Sequence, residues 1–212
     1  SSDLVEGRQK IASYCLKDTV LLDELESKLM LITNSVAMTN VLGCTFDTTL
    51  NRGLVFKLIG KLKQYTERFG FLIPTFSEEQ KPKFNGSYKG AFVLNPDVGY
   101  YTEPIVCLDY ASLYPSLMIY YNLSYDTILF EREHGMWMDN NKDKWEKMDN
   151  GVCFVKPEHY FGLLPKLEQE LALERKAAKK KKAASQPGSL QEAVYDGLQL
   201  ANKVIMNSLY GM

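Results

Sequence analysis

The sequence predicts an α/β chain of the α+β type, in which helices predominate. Apolar residues recur at three- and four-residue steps over 4–38, 53–69, 163–184 and 190–209, which is the period of an amphipathic helix. A short apolar run with β-branched residues, 104–109, is bounded by Pro and Asp and favours a buried strand. Polar stretches rich in Pro, Gly, Asn and Asp separate these segments and indicate loops.

The N-terminal third is predicted to consist of two helices. The first covers 4–38, with a candidate break near Gly7. A mixed, turn-prone stretch follows over 39–50, and the helical period returns over 53–69. Gly70 is suited to end that helix because glycine readily adopts the left-handed conformation of a helix C-terminus.

The middle of the chain is predicted to be mostly loop. Residues 74–95 are polar, with a short strand expected at 91–94. Pro115 fits the first turn of a helix, where its missing N–H is not needed. Asp-Asn-Asn and Asp-Asn-Gly turn signals within 131–160 predict a hairpin that departs from the main body.

The C-terminal part predicts two antiparallel helices, 163–184 and 190–209, joined by a turn at 185–189. A run of lysines, 179–182, lies at the tip of this pair. For Lys180–Lys182 a solvated basic face is the preferred interpretation, with a nuclear import signal or a flexible tip as alternatives.

Composition excludes several classes of protein. The chain has 212 residues, 25 basic and 26 acidic side chains, a formal net charge of -1, and 45% apolar residues. These values exclude disordered, collagen-like and disulfide-dense chains. No apolar run approaches the roughly 20 residues of a membrane helix, so no membrane association is expected. The chain begins without Met and ends directly after a helical pattern, so we expect a fragment of a longer protein.

The cysteines and histidines predict neither disulfides nor a zinc site. No C-x-x-C pair occurs, and His134 and His159 lie far from paired cysteines. Three of the four cysteines have apolar neighbours, so reduced, buried thiols are expected, which suits the cytosol or nucleus. The four are Cys15, Cys44, Cys107 and Cys153.

Asp109 is the first candidate site residue, because an acid at the end of a buried strand is unusual. Residues 110–116 then predict a tight turn into a helix start, where backbone N–H groups point at an anion. A carboxylate for a divalent metal beside such a start suits a nucleoside triphosphate. On spacing alone, the plainer interpretation of an acid that ends a strand and caps a helix is favoured.

A second candidate site lies on the C-terminal helix pair. Lys203, Asn207 and Tyr210 share one face of the last helix, and Arg175 and Lys179 are four residues apart on its partner. Arg binds phosphate oxygens in a bidentate manner and Lys supplies a point charge. A solvated basic face is the alternative.

Six segments resemble motifs of the family B DNA polymerases, and they occur in the family's order. They are the exonuclease motif YCLKDTVLL (14–22), NRG (51–53), the linker YKGAF (88–92), the first polymerase motif DYASLYPS (109–116), GLLPKLEQELALERKAAK (162–179) and the fingers motif KVIMNSLYG (203–211). Together they span nearly the whole chain. The replicative delta type and the related polymerases of large DNA viruses are the most similar.

The resemblance implies a DNA-templated DNA polymerase that acts by two-metal phosphoryl transfer. Asp109 would be one of two carboxylates that hold two Mg²⁺ ions, and the carbonyl of Tyr110 would complete a metal shell. The amides of Ser112 and Leu113 would bind the triphosphate. Tyr114 would exclude a 2′-hydroxyl by leaving no room for the added oxygen.

The resemblance also assigns residues to the nucleotide, the DNA and a proofreading exonuclease. Lys203 would additionally donate a proton to the leaving pyrophosphate, Asp18 would be an exonuclease metal ligand, and Tyr14 would orient the attacking water. The triphosphate would be gripped by Arg175, Lys179, Lys203 and Asn207. The nascent base pair would pack on Tyr210 and Gly211, and the DNA would contact Arg52, Gly53, Tyr88 and Gly90.

The implied architecture is a fragment of a right-hand polymerase. Residues 1–38 would end an RNase H-like 3′–5′ exonuclease domain, and 39–100 would connect it to the palm. Residues 101–162 would be palm sheet with the first catalytic motif, and 163–212 a truncated fingers hairpin. The implied partners are primer–template DNA, deoxynucleoside triphosphates, and a sliding clamp or accessory subunits. The implied location is the nucleus, or a host nuclear or cytoplasmic replication site for a virus.

The sequence lacks the paired-aspartate motif Tyr-Gly-Asp-Thr-Asp-Ser and the first two exonuclease motifs of that family. We therefore expect this piece alone neither to polymerise nor to proofread. One alternative is a non-catalytic nucleic-acid-binding remnant of such a polymerase, which would not explain the turn at Asp109. The other is a different nucleotidyltransferase, such as an RNA polymerase or primase, which would not explain Tyr114.

Overall fold

The computed structural model describes residues 2–73, 75, 90 and 92–211. This part of the chain contains helices and one small sheet. The helices are α1 (Ser2–Leu29), α2 (Leu31–Leu42), α3 (Phe46–Asn51), α4 (Leu54–Phe69), α5 (Leu113–Tyr120), α6 (Glu131–Asn140), α7 (Leu163–Ala184) and α8 (Leu190–Leu209). The strands are β1 (Ile128–Leu129), β2 (Trp145–Lys147) and β3 (Cys153–Val155).

The chain divides into two compact units, and α7 begins in one and continues in the other. The first unit comprises Ser1–Gly70 and Leu167–Met212, and the second Phe71–Lys166. The fold class is therefore mostly helical with a three-stranded antiparallel sheet, which refines the predicted α/β chain.

The first unit contains fully buried aliphatic side chains on α2, α4, α7 and α8. α8 packs most extensively against α2 and also contacts α4. Each such side chain contributes roughly 1.5–3 kcal/mol on leaving water. The most deeply buried are Leu42, Leu58, Leu167, Leu171 and Ile205.

A glycine allows the close approach of α2 and α8. A Cβ atom at Gly197 would lie 3.1 Å from Asn34 Oδ1 and 3.2 Å from the Cβ of Ala37. Those distances are tighter than ordinary van der Waals contact, so a side chain at this position would push the two helices apart.

A polar cluster joins α4 to α7 within the first unit. The Tyr65 hydroxyl donates to Glu170 at 2.7 Å, and Arg68 forms an ion pair with the same carboxylate at 3.4 Å. Burial, followed by the hydrogen bond to Glu170, raises the pKa of Tyr65. Lys61 donates to the carbonyl of Val41, and burial lowers the pKa of its ammonium group.

The predicted first helix is in fact two helices. The regular helical conformation is interrupted at Met30, whose φ of 52° lies in the left-handed region. The Asn34 side chain donates to the Leu29 carbonyl at 3.0 Å and satisfies an acceptor at the end of α1. No break occurs at Gly7, because one exposed glycine costs a helix only about 1 kcal/mol.

The predictions for α4, α7 and α8 are confirmed, whereas α3 lies in the stretch 39–50 that was predicted as turn-prone. α4 ends at Gly70, which has a left-handed φ of 69°. α7 and α8 have the predicted bounds. Ser189 caps α8 by accepting from the Glu192 N–H at 3.2 Å. Near the connecting turn, Lys182 pairs with Asp196 at 2.8 Å, and Lys181 lies 5.6 Å from the Tyr195 ring centroid.

The second unit contains α5, α6 and the sheet, whose strand order is β1-β3-β2 with antiparallel pairs. The hairpin expected within 131–160 is confirmed as β2–β3, and Gly151 supplies the positive φ, 87°, of its turn. α6 was not predicted. Trp145 Nε1 donates to the carbonyl of Met138 at 3.0 Å and ties this helix to the hairpin.

Two further expectations need correction. Residues 92–94 form no strand, and Ala91 lies outside the described residues. All four thiols are free, but only Cys153 is buried, and burial raises the pKa of its thiol. Cys44 is half-buried, whereas Cys15 and Cys107 are exposed because they lie on exposed segments. None of the described helices combines the length and apolar character needed to cross a membrane.

Candidate active site

Asp109 lies in an exposed stretch without helix or strand, and not at the end of a buried strand. Residues 101–110 are all exposed, and 104–109 pair with no strand in the described part of the chain. Val106 is 79% exposed and Leu108 92%. The predicted buried strand is therefore wrong. β-Branched residues favour a strand when neighbouring strands and a covering layer are present, and the described residues supply neither.

The predicted turn into a helix start after Asp109 is confirmed. Ser112 has a left-handed conformation, with φ 54° and ψ 54°, and α5 begins at the next residue. As the first helical residue, Leu113 has no intrahelical acceptor for its N–H. Pro115 in the first turn carries no N–H, and the Ser116 N–H donates to the Ser112 carbonyl at 3.0 Å.

Two tyrosines flank this helix start. Tyr110 is 78% exposed, and Tyr114 in the first turn is 55% exposed. The second unit therefore presents a carboxylate, two phenol rings and a helix N-terminus within six residues, 109–114. This combination can bind a metal-associated anion, because the carboxylate attracts the cation and the helix start attracts the anion.

In the first unit, α7 and α8 bring Arg175, Lys179 and Lys203 into one open groove of about 500 Å³. None of these three cations has an ion-pair partner among the described residues. Lys182 also lines the groove, but its pair with Asp196 neutralises it and lowers the pKa of that carboxyl. Arg175, Lys179 and Lys203 thus line one groove together with the acid Glu192, whose carboxylate accepts from the Gly188 N–H at 2.7 Å. Binding of an anion by these cations stays a prediction.

The last helix presents the other predicted residues on the expected face. Lys203, Asn207 and Tyr210 are all exposed, whereas Ile205, Met206 and Leu209 are buried. Gly211 follows Tyr210 and is exposed as well. Lys203, Asn207 and Tyr210 thus form a polar stripe that runs along α8 towards its C-terminus.

Buried polar groups near this groove were not predicted. Glu168 on α7 is fully buried, and neither of its carboxylate oxygens has a hydrogen-bond partner among the described residues. Burial raises the pKa of Glu168 to about 8, so the group is mostly protonated at neutral pH. Arg175 Nε and Asn202 Oδ1 are likewise buried without a partner in the described part. Glu168 lies four residues after Leu164 on the apolar stripe, and this spacing could have indicated that its side chain is buried.

The predicted exonuclease pair lies on α1. Tyr14 and Asp18 are both exposed and are four residues apart on this helix, as expected. Among the described residues, no three His, Cys, Asp or Glu side chains are grouped closely enough to hold a metal ion. Neither Asp18 nor Asp109 therefore belongs to such a group within the described residues.

The residues predicted to contact DNA are separated along the chain. Arg52 is exposed, with its guanidinium carbon 5.3 Å from the Phe56 ring centroid. Gly53 precedes α4 in an extended conformation, and Gly90 is exposed. Tyr88 lies outside the described residues.

Comparison with known proteins decides the family. The family model for DNA polymerase family B matches residues 44–212, which is most of the chain. The chain belongs to DNA polymerase family B. The segments that resemble family B motifs from residue 51 onwards all fall within the matched range.

Relatives within this family extend the match to the N-terminus. The DNA polymerase delta catalytic subunit of Glycine max is 39% identical over 99% of this family B chain and 19% of its own length. That of Drosophila melanogaster is 38% identical over 99% of the chain and 20% of its own length. The chain thus spans about a fifth of the length of these curated relatives.

A solved family B structure supports the fold. The family B DNA polymerase from the hyperthermophilic archaeon Pyrobaculum calidifontis aligns with a TM-score of 0.70 and 28% sequence identity. The alignment covers 96% of this chain and 25% of the archaeal chain. Because nearly all of this chain aligns, both units described above have counterparts in the archaeal polymerase.

Proposed function

We propose that this chain is an internal part of a replicative DNA polymerase that adds deoxynucleotides to a primer 3′-hydroxyl. The observation that carries the proposal is the segment from Asp109 to Tyr114. It combines an exposed carboxylate with a helix start whose first N–H has no intrahelical acceptor. A site of this kind suits a nucleoside triphosphate bound together with divalent metal.

Each residue of this segment would have a separate role. Asp109 and the carbonyl of Tyr110 are oxygen ligands of the type that Mg²⁺ prefers. Two bound Mg²⁺ ions would activate the primer hydroxyl and neutralise charge on the triphosphate. The Leu113 amide would hold a phosphate oxygen at the positive end of α5, together with that of Ser112. Tyr114 would lie beneath the sugar and exclude a 2′-hydroxyl.

The groove on α7 and α8 would provide the remaining contacts to the nucleotide. Arg175, Lys179 and Lys203 form no ion pairs within the described residues, so their charges are available to phosphate oxygens. Asn207 continues the same face of α8 and would add a hydrogen bond. Lys203 would also protonate the leaving pyrophosphate, since its ammonium group is exposed.

The remaining assignments rest on the motif resemblance, and membership of family B supports them. Residues 1–38 would end a 3′–5′ exonuclease domain, with Tyr14 and Asp18 in its site, and 39–100 would lead into the palm. Residues 101–162 would belong to the palm and 163–212 to the fingers. Primer–template DNA would contact Arg52, Gly53, Tyr88 and Gly90. A sliding clamp and a nuclear location are also proposed, in keeping with the delta-type relatives.

The test is single-nucleotide incorporation by the intact protein with Asp109 replaced by Asn. Loss of the negative charge should lower kcat by about 10³-fold or more, because a metal ligand acts directly on the transition state. Asp97→Asn is the matched control, since Asp97 is an exposed acid in the same extended region. Equal activity of the Asp109 variant and the control would refute the proposed site. DNA binding without any incorporation by the unmutated protein would favour the non-catalytic remnant.

A further inference from the structure

The start of α7 is held by a side chain from another part of the second unit. Gly162 precedes the helix, has no side chain with which to cap it, and donates its N–H to Asn122 Oδ1 at 2.8 Å. The amide group of Asn122 also donates to the carbonyls of Val155 at 2.8 Å and Tyr160 at 2.7 Å. The Asn122 side chain is fully buried and forms hydrogen bonds with three backbone groups.

The next two amides of α7 are capped from the same segment. The Leu163 N–H donates to both carboxylate oxygens of Asp126, each at 3.2 Å. The Leu164 N–H donates to Ser124 Oγ at 3.1 Å. Pro165 follows and has no N–H. Every backbone donor in the first turn of this helix is therefore either satisfied by a side chain of this segment or absent.

We call Asn122, Ser124 and Asp126 the capping clamp. Two of its members are joined directly, because the Ser124 hydroxyl donates to Asp126. The Tyr160 hydroxyl donates to the other carboxylate oxygen at 2.8 Å. The carboxylate lies at the positive end of the α7 dipole, where a negative charge is stabilising.

Gly162 packs closely against the loop that bears the clamp. A Cβ atom at Gly162 would lie 2.7 Å from Thr127 Cγ2 and 2.8 Å from Ser124 Cβ. The Thr127 hydroxyl donates to the Asn122 carbonyl at 2.6 Å and fixes the loop that bears the clamp. The position of the α7 start is thus defined by hydrogen bonds and by close contact together.

The clamp directly follows α5, the helix that begins after Asp109. Asn122 has a left-handed φ of 53°, and the Leu123 N–H donates to the Met118 carbonyl at 2.9 Å, which closes the end of α5. The clamp therefore fixes the beginning of α7 to the end of α5. Neither the spacing of residues nor the family motifs described above indicated this connection.

We propose that Asn122, Ser124 and Asp126 are positioning residues for polymerisation, which hold the end of α5 to the start of α7 and thereby place the start of α5 beside Asp109. This inference rests on the proposed function. α5 is eight residues long, which is about 12 Å along its axis from Leu113 to the end that the clamp follows. A tilt of about ten degrees at the clamp would move the Leu113 amide by about 2 Å, enough to break its hydrogen bond to a phosphate oxygen.

The experiment measures nucleotide incorporation by the intact protein with Asn122→Ala, Ser124→Ala, Asp126→Ala and Asp126→Asn. Asn140→Ala is the control, because this exposed asparagine belongs to the same unit but lies outside the clamp. The readouts are KM for the deoxynucleotide, kcat, and the active fraction from the amplitude of the first-turnover burst. We expect Asp126→Ala to raise KM by about tenfold at an unchanged active fraction. Asp126→Asn retains an acceptor oxygen and should restore part of the loss.

A lowered active fraction with normal KM would show that the clamp only supports folding and would overturn the inference. Unchanged KM and kcat would also overturn it. If Asn122→Ala or Asp126→Ala yields no folded protein, Ser124→Ala decides by the same criteria, since it removes one acceptor and little volume. The unmutated protein is assayed first, and its inactivity would refute the proposed function as well as the clamp's role.

Discussion

Tyr114 combines an exposed ring with a position in the first turn of α5, close in sequence to Asp109. If this ring lies beneath the sugar, its removal should create room for a 2′-hydroxyl. We predict that Tyr114→Ala in the intact protein lowers discrimination against ribonucleotides by at least about 10²-fold, because sugar selection then loses its steric basis. Competition between a ribonucleotide and the matching deoxynucleotide measures this ratio.

Tyr114→Phe is the control, since it keeps the ring and removes only the hydroxyl. It should retain discrimination close to that of the unmutated protein. Unchanged selectivity in the alanine variant would argue against the steric role of Tyr114 and would revive the interpretation of the chain as another nucleotidyltransferase.

Glu168 should make stability depend on pH. Its pKa is about 8 in the folded chain, whereas an exposed glutamate titrates near 4.5. The folded state therefore binds more protons between these values, and stability falls as the pH rises through this interval. We predict that Glu168→Gln, which cannot ionise, gains stability relative to the unmutated protein by about 3 kcal/mol between pH 5 and pH 8.

Denaturation midpoints of the intact protein at several pH values test this prediction. Glu158→Gln is the matched control, because Glu158 is exposed. A constant difference between the Glu168 variant and the unmutated protein across the interval would show that the carboxyl is solvated in the folded state.

At the scale of elements, the contact between α2 and α8 depends on the absence of a side chain at Gly197. We predict that Gly197→Val destabilises the first unit by about 1–3 kcal/mol, because the added methyl groups overlap Asn34 and Ala37. Gly60→Val is the control, since a Cβ at Gly60 has no atom within 4 Å. The thermal denaturation midpoint of the intact protein should fall clearly more for the first variant than for the second.

The elements also show what could be predicted from sequence. α7 and α8 could be placed with their bounds because their signals are local: an apolar period in each helix, and a turn with Pro and Gly between them. The 104–109 strand failed because strand formation depends on partners distant in sequence. α6 was missed because its polar composition hides the weak apolar period, and the break at Met30 has no sequence signal such as Gly or Pro.

The same distinction applies to the candidate site. Asp109, Tyr114 and the basic residues of α7 and α8 could be proposed from the sequence because motif spacing is local. The capping clamp was not, because Asn122 and Gly162 are forty residues apart and meet only through the fold. Glu168 was overlooked although it interrupts an apolar stripe, a pattern that is visible in the sequence.

At the scale of the whole molecule, both carboxylate sites are incomplete within the described residues. Neither Asp18 nor Asp109 belongs there to a group of three or more possible metal ligands, and the chain spans about a fifth of the length of its relatives. Two-metal chemistry requires more than one carboxylate to hold its ions. We therefore predict that this chain alone neither extends a primer nor removes a 3′ nucleotide.

A primer-extension assay and an exonuclease assay with the isolated chain check this prediction. The intact protein is the positive control and should show both activities. Extension by the isolated chain that disappears in its Asp109→Ala variant would contradict the prediction and would mean that a single carboxylate suffices.

The distribution of the thiols has a practical consequence for spectroscopy. Cys15 lies in the first unit and Cys107 in the second, and both are exposed, whereas Cys153 is buried and Cys44 half-buried. A maleimide dye pair should therefore react first at one position in each unit. Energy transfer between the two dyes would then report the separation of the units in solution without any engineered residue.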